Sequence, residues 1–596
     1  MLGPIFNREW LILPRRSRHY LTRSLYLGVL WLLLLTVWQT TIGWETAATL
    51  GDLARFGLLA FQVLAYVQLT LLLFFAALSA ASTISLEKDR RTFVLLLMTD
   101  LNNYEIVLGK LFGSLLSIGI FLAASMPVYA LLMLLGGIDV WQIVGTMLIL
   151  GMTAVAAGSL GGVVALWREK TFQAIALTLL FVVLYLCLVQ GLALLPYLPG
   201  RVTDGTVQAW QGALDPFRAL AAALDPPADD ELVPAAHFAL AMLAAALLLN
   251  GLGILRLRVW NPSGEPIMQP DKAETAAGEP ASVHAAPGRV RRVWRNPILW
   301  REIATRAYGR RPLLVKAAYG VVLALVCYYT LFAMEPRPWA AAYSLVPIGI
   351  LSLLLISAQA VTSITSERDI GALDLLMITD LAPGEFIVGK VFGILYNTKE
   401  YIVPPLVLIA LHAWRGELGT PPRGYPDLRG TMNVEAALCA AGAFAILMAF
   451  TVMLGIHVAL RNNNSRFAAL NALGTVFFLS VGTMICIYLI LINGRFEYQW
   501  LSFAGFICAG IGGLWWVLSA ERGSAALNLA SALCPIAVFY TVTNVLVGKP
   551  ETGASTDPLM PLLVMGGAFG FALVAMAIPL ISEFDVSIGR SSAIGE

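Results

Sequence analysis

"TISLEKDRRTFVLLLMTDLNNYEIVLGK", Thr83 to Lys110, joins two of the most apolar stretches of the chain with a connection holding both a cluster of charges and a long apolar run. "SITSERDIGALDLLMITDLAPGEFIVGK", Ser363 to Lys390, says nearly the same thing 280 residues later. Aligned without a gap, 84–113 and 364–393 are identical at 13 of 30 positions, including Glu87, Asp89, Thr99, Asp100, Glu105, Gly109 and Lys110. Upstream, "GPIFNRE" at 3–9 matches "NPILWRE" at 296–302, and Arg23 and Tyr26 pair with Lys316 and Tyr319 at the same offset of 293. Downstream, "ALWREKTFQA" at 165–174 answers "ALRNNNSRFAA" at 459–469. The matches keep one order, so the chain is a parallel internal repeat.

The surroundings of these loops decide the solvent. Of 596 residues, 58% are hydrophobic and only 13% charged, with a mean hydropathy of +0.77. Soluble domains carry about a quarter charged residues. Apolar windows long enough to span a bilayer, about 20 residues each, lie near 24–42, 58–85, 105–136, 141–166, 172–196 and 236–257. Others lie near 312–334, 343–365, 385–412, 434–460, 467–493, 501–519, 527–548 and 559–582. Only helices satisfy their own backbone over such lengths in lipid. The expectation is an all-α polytopic membrane protein: two repeated helical bundles with about 12–14 transmembrane helices. Residues 1–260 form a first half of six spans and 291–596 a second half of six to eight. Residues 261–290, rich in Pro, Gly, Ala and Glu, form a flexible linker between them.

Basic residues set the orientation. Arg8, Arg15, Arg16, Arg18 and Arg23, the Lys88–Lys110 loop, Arg168, Lys170 and the stretch from Arg256 to Lys316 all fall on one side when the spans alternate. That side reads as cytoplasmic, with both termini on it, in a multi-pass protein of the cell (inner, cytoplasmic) membrane. Pro14 and the arginines ahead of a full-length span do not read as a cleavable signal peptide. The loops on the opposite side are short, the longest near 197–235. All six cysteines fall in the apolar windows without CxxC spacing, so they read as core thiols and not as a disulfide framework or zinc site.

Glu87 to Asp100 would extend about 21 Å as one helix, more than a turn between spans requires. Charges crowd its first half and apolar residues its second, as in a short interfacial helix. Thr99–Asp100 and Thr379–Asp380 end the two copies. Asn102 with Glu105, and Pro383 with Glu385, read as caps opening the next helix. Lipid packing alone would not keep polar positions alike in both copies. The reading is therefore a docking surface made by Glu87, Asp89, Arg90, Thr99 and Asp100, and by Glu367, Arg368, Asp369, Thr379 and Asp380.

The run E-[KR]-D-x-x-x-[FL]-x-L-L-x-x-T-D-L-x-x-x-E-x-x-x-G-K resembles the loop between the second and third helices of ABC-2-type permeases, the membrane subunits of ABC exporters. The first copy has Arg91 where that family usually has glycine, and Asp100 and Asp380 stand where proline is common. The resemblance implies six-helix halves, each with an interfacial N-terminal helix and a coupling helix seated on a cytoplasmic ATPase. With both halves in one chain, it implies two copies of that ATPase as partners, with ATP and magnesium on the partner and no cofactor on this chain.

The chain lacks GxxxxGK[ST], HExxH and GxSxG, and its five histidines are scattered. No catalytic residue, metal site or nucleic-acid surface is expected, and it is not read as an enzyme. The alternatives are a proton-coupled carrier of the major facilitator type, which shares a two-bundle layout and a charged loop, and a polytopic envelope enzyme. Two further features stand out. Ala154, Gly158 and Gly162 form a small-residue row that invites a neighbouring helix. "YNTKEY", Tyr396 to Tyr401, puts Asn397, Lys399 and Glu400 about eleven residues into a span, where a charge is costly. Either that span starts later, near Tyr401, or these residues line a polar cavity between the halves.

Overall fold

The computed structural model describes residues 3–12, 17–42, 49–89, 92–168, 171–197, 203–225, 232–261, 294–304, 312–333, 340–369, 373, 382–418, 434–462, 465–482, 500–519, 523–547 and 558–582. Among them there is no strand, and nine helices are long and apolar enough to cross a membrane. Four shorter apolar helices accompany them. The protein is thus an all-α, multi-pass membrane protein. Most of the linker lies outside the described residues.

The chain begins with a short helix α1 (Gly3–Ile12), then α2 (Ser17–Thr41) and the forty-residue α3 (Leu50–Asp89). At 1.5 Å per residue α3 reaches about 60 Å, twice the hydrocarbon thickness, so it projects beyond the bilayer core. A separate helix α4 (Thr92–Leu97) follows, then α5 (Asn103–Leu134), α6 (Val140–Trp167), α7 (Thr171–Gly191) and, after a 3-10 turn, α8 (Asp204–Leu214), α9 (Pro216–Leu224) and α10 (Val233–Trp260). The second run is α11 (Pro297–Ala304), α12 (Pro312–Tyr328), α13 (Ala340–Asp369), α14 (Pro383–Asn397), α15 (Lys399–Trp414), α16 (Val434–Arg461), α17 (Ser465–Phe477), α18 (Trp500–Ser519), α19 (Ala525–Val547) and α20 (Leu559–Ser582).

Two expectations change. Over 87–100 the described residues form two elements, the end of α3 at Asp89 and the six-residue α4 from Thr92, with residues 90 and 91 outside the described set. The window 385–412 is interrupted at Thr398, so two helices of 15 and 16 residues replace a single span. The Thr398 N–H still reaches Ile394 O at 2.9 Å, and its own carbonyl opens the next helix by accepting from Tyr401 and Ile402. Pro404 and Pro405 lie inside α15, the helix that restarts after the break.

Repeat positions make matching contacts. Tyr26 of α2 stacks on Phe121 of α5, and Tyr319 of α12 meets Tyr401 of α15 edge-on, both with ring centroids 5.0 Å apart. Those pairs are related by the offsets 293 and 280 read from the sequence. The closest backbone approach also recurs. A Cβ on Gly161 would lie 2.1 Å from Ala77 O, where α6 crosses α3. On Gly455 it would lie 2.5 Å from Ala360 Cβ, where α16 crosses α13. Without tail-to-tail hydrophobic drive between helices in lipid, such contact is what holds them, and only a missing side chain permits it.

Gly158, from the small-residue row, faces α5: its Cβ would meet Leu115 Cδ2 at 2.9 Å. The tighter crossing at Gly161 lies outside that row. The two halves meet where α7 packs on α12 and α13. They meet again where α2 crosses α18, with Leu32 set against Gly505, and where Phe74 and Phe75 abut Phe477.

Candidate functional site: ion-pair clasps beneath the repeated loops

In both copies the motif G-K-x-F-G (109–113 and 389–393) opens the third membrane helix. The structure gives its lysine and its glycines at 113, 389 and 393 a task. In the second copy, α11 lies directly on the glycine face of α14. A Cβ on Gly389 would come within 2.9 Å of Asn296 Oδ1 and Ile298 Cβ, and one on Gly393 within 2.7 Å of Glu302 Cβ. Asn296 opens α11 by accepting from Leu299 N at 2.9 Å, and its amide donates to Glu385 O at 2.8 Å, which ties the two helix starts together. In the first copy α1 lies on α5 the same way. Gly3, at φ +76°, would place a Cβ 3.1 Å from Glu105 Cβ, and Gly113 one 3.2 Å from Glu9 Cγ.

The lysine of the motif is buried between these helices. Lys390 is wholly inaccessible. Its ammonium lies 2.7 Å from Glu302 Oε1 of α11 and 2.7 Å from Glu367 Oε1 of α13, and donates to Ser363 O at 2.9 Å. All three donors are used. Arg301 adds an ion pair to Glu367. In the first copy Lys110 is buried against Glu87 of α3, while Glu9, the counterpart of Glu302, is partly exposed and bonded to Arg8 at 2.7 Å. The two clasps are built on one plan but differ in closure: two carboxylates hold the lysine in one, and one in the other.

A second pair of contacts fixes the ends of α3 and α13. Lys88 donates to Leu166 O at 2.6 Å and Arg168 O at 2.9 Å. Its counterpart Arg368 donates to Ala459 O at 2.5 Å and Leu460 O at 3.3 Å, and also to Asn462 O. Each cation thereby satisfies carbonyls at the end of α6 or α16 that have no helical partner, at the negative pole of the helix.

Of the residues read as a docking surface, Glu87, Glu367 and Arg368 are therefore bonded within the chain. Asp89 and Asp369 close α3 and α13, with side chains outside the described set; Arg90, Thr379 and Asp380 lie outside the described residues. Thr99 and Asp100 are exposed, Thr99 closing α4 by donating to Leu96 O at 2.6 Å. The cap expected at Asn102 is present, its N–H bonded to Glu105 Oε2 at 2.9 Å. What α4 turns outward is apolar: Phe93 and Leu97 are buried, whereas Leu95 is 64% and Met98 70% exposed. The charge pattern drew attention to the polar residues, and the outward apolar pair showed only once the helix was placed.

Asn397, Lys399 and Glu400 do not converge. Asn397 donates to Glu302 O at 3.4 Å, Lys399 lies 4.2 Å over the Tyr396 ring and is exposed, and Glu400 pairs with Lys316 of α12 at 2.9 Å.

No protein-family model matches the chain, and no curated protein matches it. Among the described residues no cluster of His, Cys, Asp or Glu could hold a metal ion, and none of the five described cysteines forms a disulfide. A Ser-His-Glu arrangement does occur at the opposite end of the bundle. Ser344 Oγ lies 2.6 Å from His412 Nε2, and His412 Nδ1 bonds Glu417, which Arg415 Nε pairs at 2.9 Å. Ser344 and His412 are both wholly buried, so no substrate carbonyl reaches the hydroxyl in this structure. As packed, the cluster ties the ends of α13 and α15, and Arg415 extends it to the π-helical turn Tyr329–Ala333 that follows α12 by donating to Leu331 O at 2.7 Å.

Proposed function

We propose that this chain is the membrane-spanning permease of an ABC transporter, an exporter driven by two copies of a separate cytoplasmic ATPase that dock on the loops around 86–104 and 366–384. The observation that carries the reading is the small exposed surface of α4 on a rigid mount. Leu95 faces out from α4 and Met98 from the turn that follows it, and the end of α3 that precedes them is fastened to α5 and α6 through Lys110–Glu87 and Lys88. Phe93 and Leu97 also bury α4 in one cluster with Ile84 of α3, Ile106 and Val107 of α5 and Ala165 and Leu166 of α6, so a push on α4 reaches three membrane helices at once. The reading places ATP and magnesium on the partner and both termini in the cytoplasm.

The geometry also changes how docking is tested. Reversing Glu87 would break the clasp as well as any interface, so the informative variants are Leu95→Asp and Met98→Asp, whose side chains are exposed in the free chain. With the native membrane as source, both are expected to reach wild-type levels and melting temperature while bringing down one ATPase in place of two, because the loop around 366–384 is untouched. A chain that keeps both ATPase copies with the two substitutions, or a wild-type chain that never brings one down, would overturn the proposal.

A further inference from the structure

The segment that follows α17 is a π-helix, Phe478–Gly482. A π-turn is wider than an α-turn, and here it opens a cleft with α18 and α19. Its walls are Phe478, Leu479, Phe506, Ile507, Val538 and Phe539, with about 480 Å³ of open space that includes its mouth. None of the lining residues is ionisable or carries a side-chain hydrogen-bonding group. Gly482 and Gly510 leave out side chains where larger residues would fill it. At Gly510 the helices pinch, a Cβ there falling 3.1 Å from Pro535 Cβ, which closes one end.

Depth identifies what surrounds this cleft. Its lining begins 13 residues into α17 and its continuation, and ten residues into α19. On α18 it lies nine or more residues from Ser519. At 1.5 Å per residue each wall lies about 13–25 Å from the helix ends nearest the repeated loops, within the 30 Å hydrocarbon layer. Trp515 and Trp516 stand exposed one or two turns from that end of α18, at the level where tryptophan marks the membrane–water interface. An open apolar cleft at that depth stays dry, and left empty it forfeits the dispersion contacts of its walls.

We propose that the cleft is a binding site for one acyl chain of a bilayer phospholipid, its headgroup at the level of Trp515 and Trp516. Among the described residues the first half has only the short α8 and α9 between α7 and α10, where the second has the longer α18 and α19, so the cleft belongs to the second half. There it backs onto the seam where α18 crosses α2, and Phe506 packs toward the core of the first bundle. The bound chain completes the seam between the halves. This assignment does not depend on the ATPase.

The test uses the full chain in phosphatidylcholine–phosphatidylglycerol vesicles containing a phospholipid with a diazirine midway along one acyl chain. Photolysis and peptide mapping are expected to place label on 506–510 and 535–542 at higher density than on the outward leucines of α10, Leu247, Leu248 and Leu255. Ile507→Trp and, separately, Val538→Trp fill the cleft from different helices, and each is expected to cut that label several-fold without changing the label on α10. A headgroup diazirine is expected to move the label to Trp515 and Trp516. If the wild-type cleft is labelled no more densely than α10, only non-specific surrounding lipid is present and the proposal falls. It falls equally if both filled variants fold and keep full cleft labelling, or if the headgroup probe does not reach the tryptophans.

Discussion

Replacing Lys390 by methionine is the sharpest perturbation of the clasp. Methionine keeps most of the volume and removes the charge, so the effect reports electrostatics and not a cavity. In the wild type the buried ammonium pairs with both Glu302 and Glu367, and Arg301 supplies the second positive charge at Glu367. Removing it strands Glu302, 2% exposed, whose nearest remaining cation is Arg301 at 3.8 Å. Breaking a buried pair from one side costs about 3–5 kcal/mol. Because Arg301 still holds Glu367, the lower end of that range is expected here. The matched change Lys110→Met leaves Glu87 in a site 21% open to solvent, where water can take over. Its cost is expected nearer 1.5–3 kcal/mol, roughly that of one hydrogen bond to a charged group. Thermal unfolding in a fixed detergent, followed by loss of the monodisperse peak, ranks the two. Adding Glu302→Gln to Lys390→Met is expected to recover part of the loss, since it removes the stranded charge. Equal costs for the two lysine variants, or a loss below about 1 kcal/mol for Lys390→Met, would refute the reasoning, because the burial difference is its basis.

Gly161→Leu is expected to block assembly, and even Gly161→Ala to destabilise by more than the roughly 1–3 kcal/mol of ordinary overpacking, because the new Cβ meets a backbone oxygen. Gly158→Ala should be milder, since Leu115 can rotate away; expression level and melting temperature compare them. Asp215 caps α9 by accepting from Phe217 N at 2.9 Å, yet burial raises its carboxyl above the usual 3.8 despite backbone hydrogen bonds, Arg218 and Gln190. A raised folded pKa means the group favours folding at low pH and loses that contribution as pH rises through the folded value. Asp215→Asn, which keeps an acceptor for the cap, is therefore expected to raise the melting temperature at pH 7 and to lose its advantage below pH 3.8; a lower melting temperature at pH 7 would contradict this.

The clasps explain why the repeated loops keep their charges in a chain so poor in them. A buried ion pair is weak evidence for stability, because desolvation offsets most of the attraction. Its firmer use is register. Lys390 makes both ion pairs only if α11, α13 and α14 are all in place, and the glycines at 389 and 393 leave the room for α11 to seat this closely. The difference between the halves, with Glu302 buried and Glu9 partly exposed, makes the first clasp the weaker of two devices on one plan.

Local chemistry made much of this legible from the amino acids alone. Helical spans follow from the length of apolar runs, because lipid leaves the backbone no other partner. The parallel repeat follows from matched positions, and the cap at Asn102 from a three-residue spacing. The role of G-K-x-F-G was not legible, since its glycines matter only against α1 and α11, helices about 90–105 residues away in the chain. The break at Thr398 and the separation of α4 from α3 were also hidden: an apolar window records burial, not where a helix stops. Nor could sequence say that Glu87, Glu367 and Arg368 turn inward while Leu95 and Met98 turn out. A charged residue near a helix end reads alike whether it meets water, a partner or a carbonyl of its own chain. Which one it meets is decided by the packing of helices distant in sequence, and only the tertiary structure supplies that.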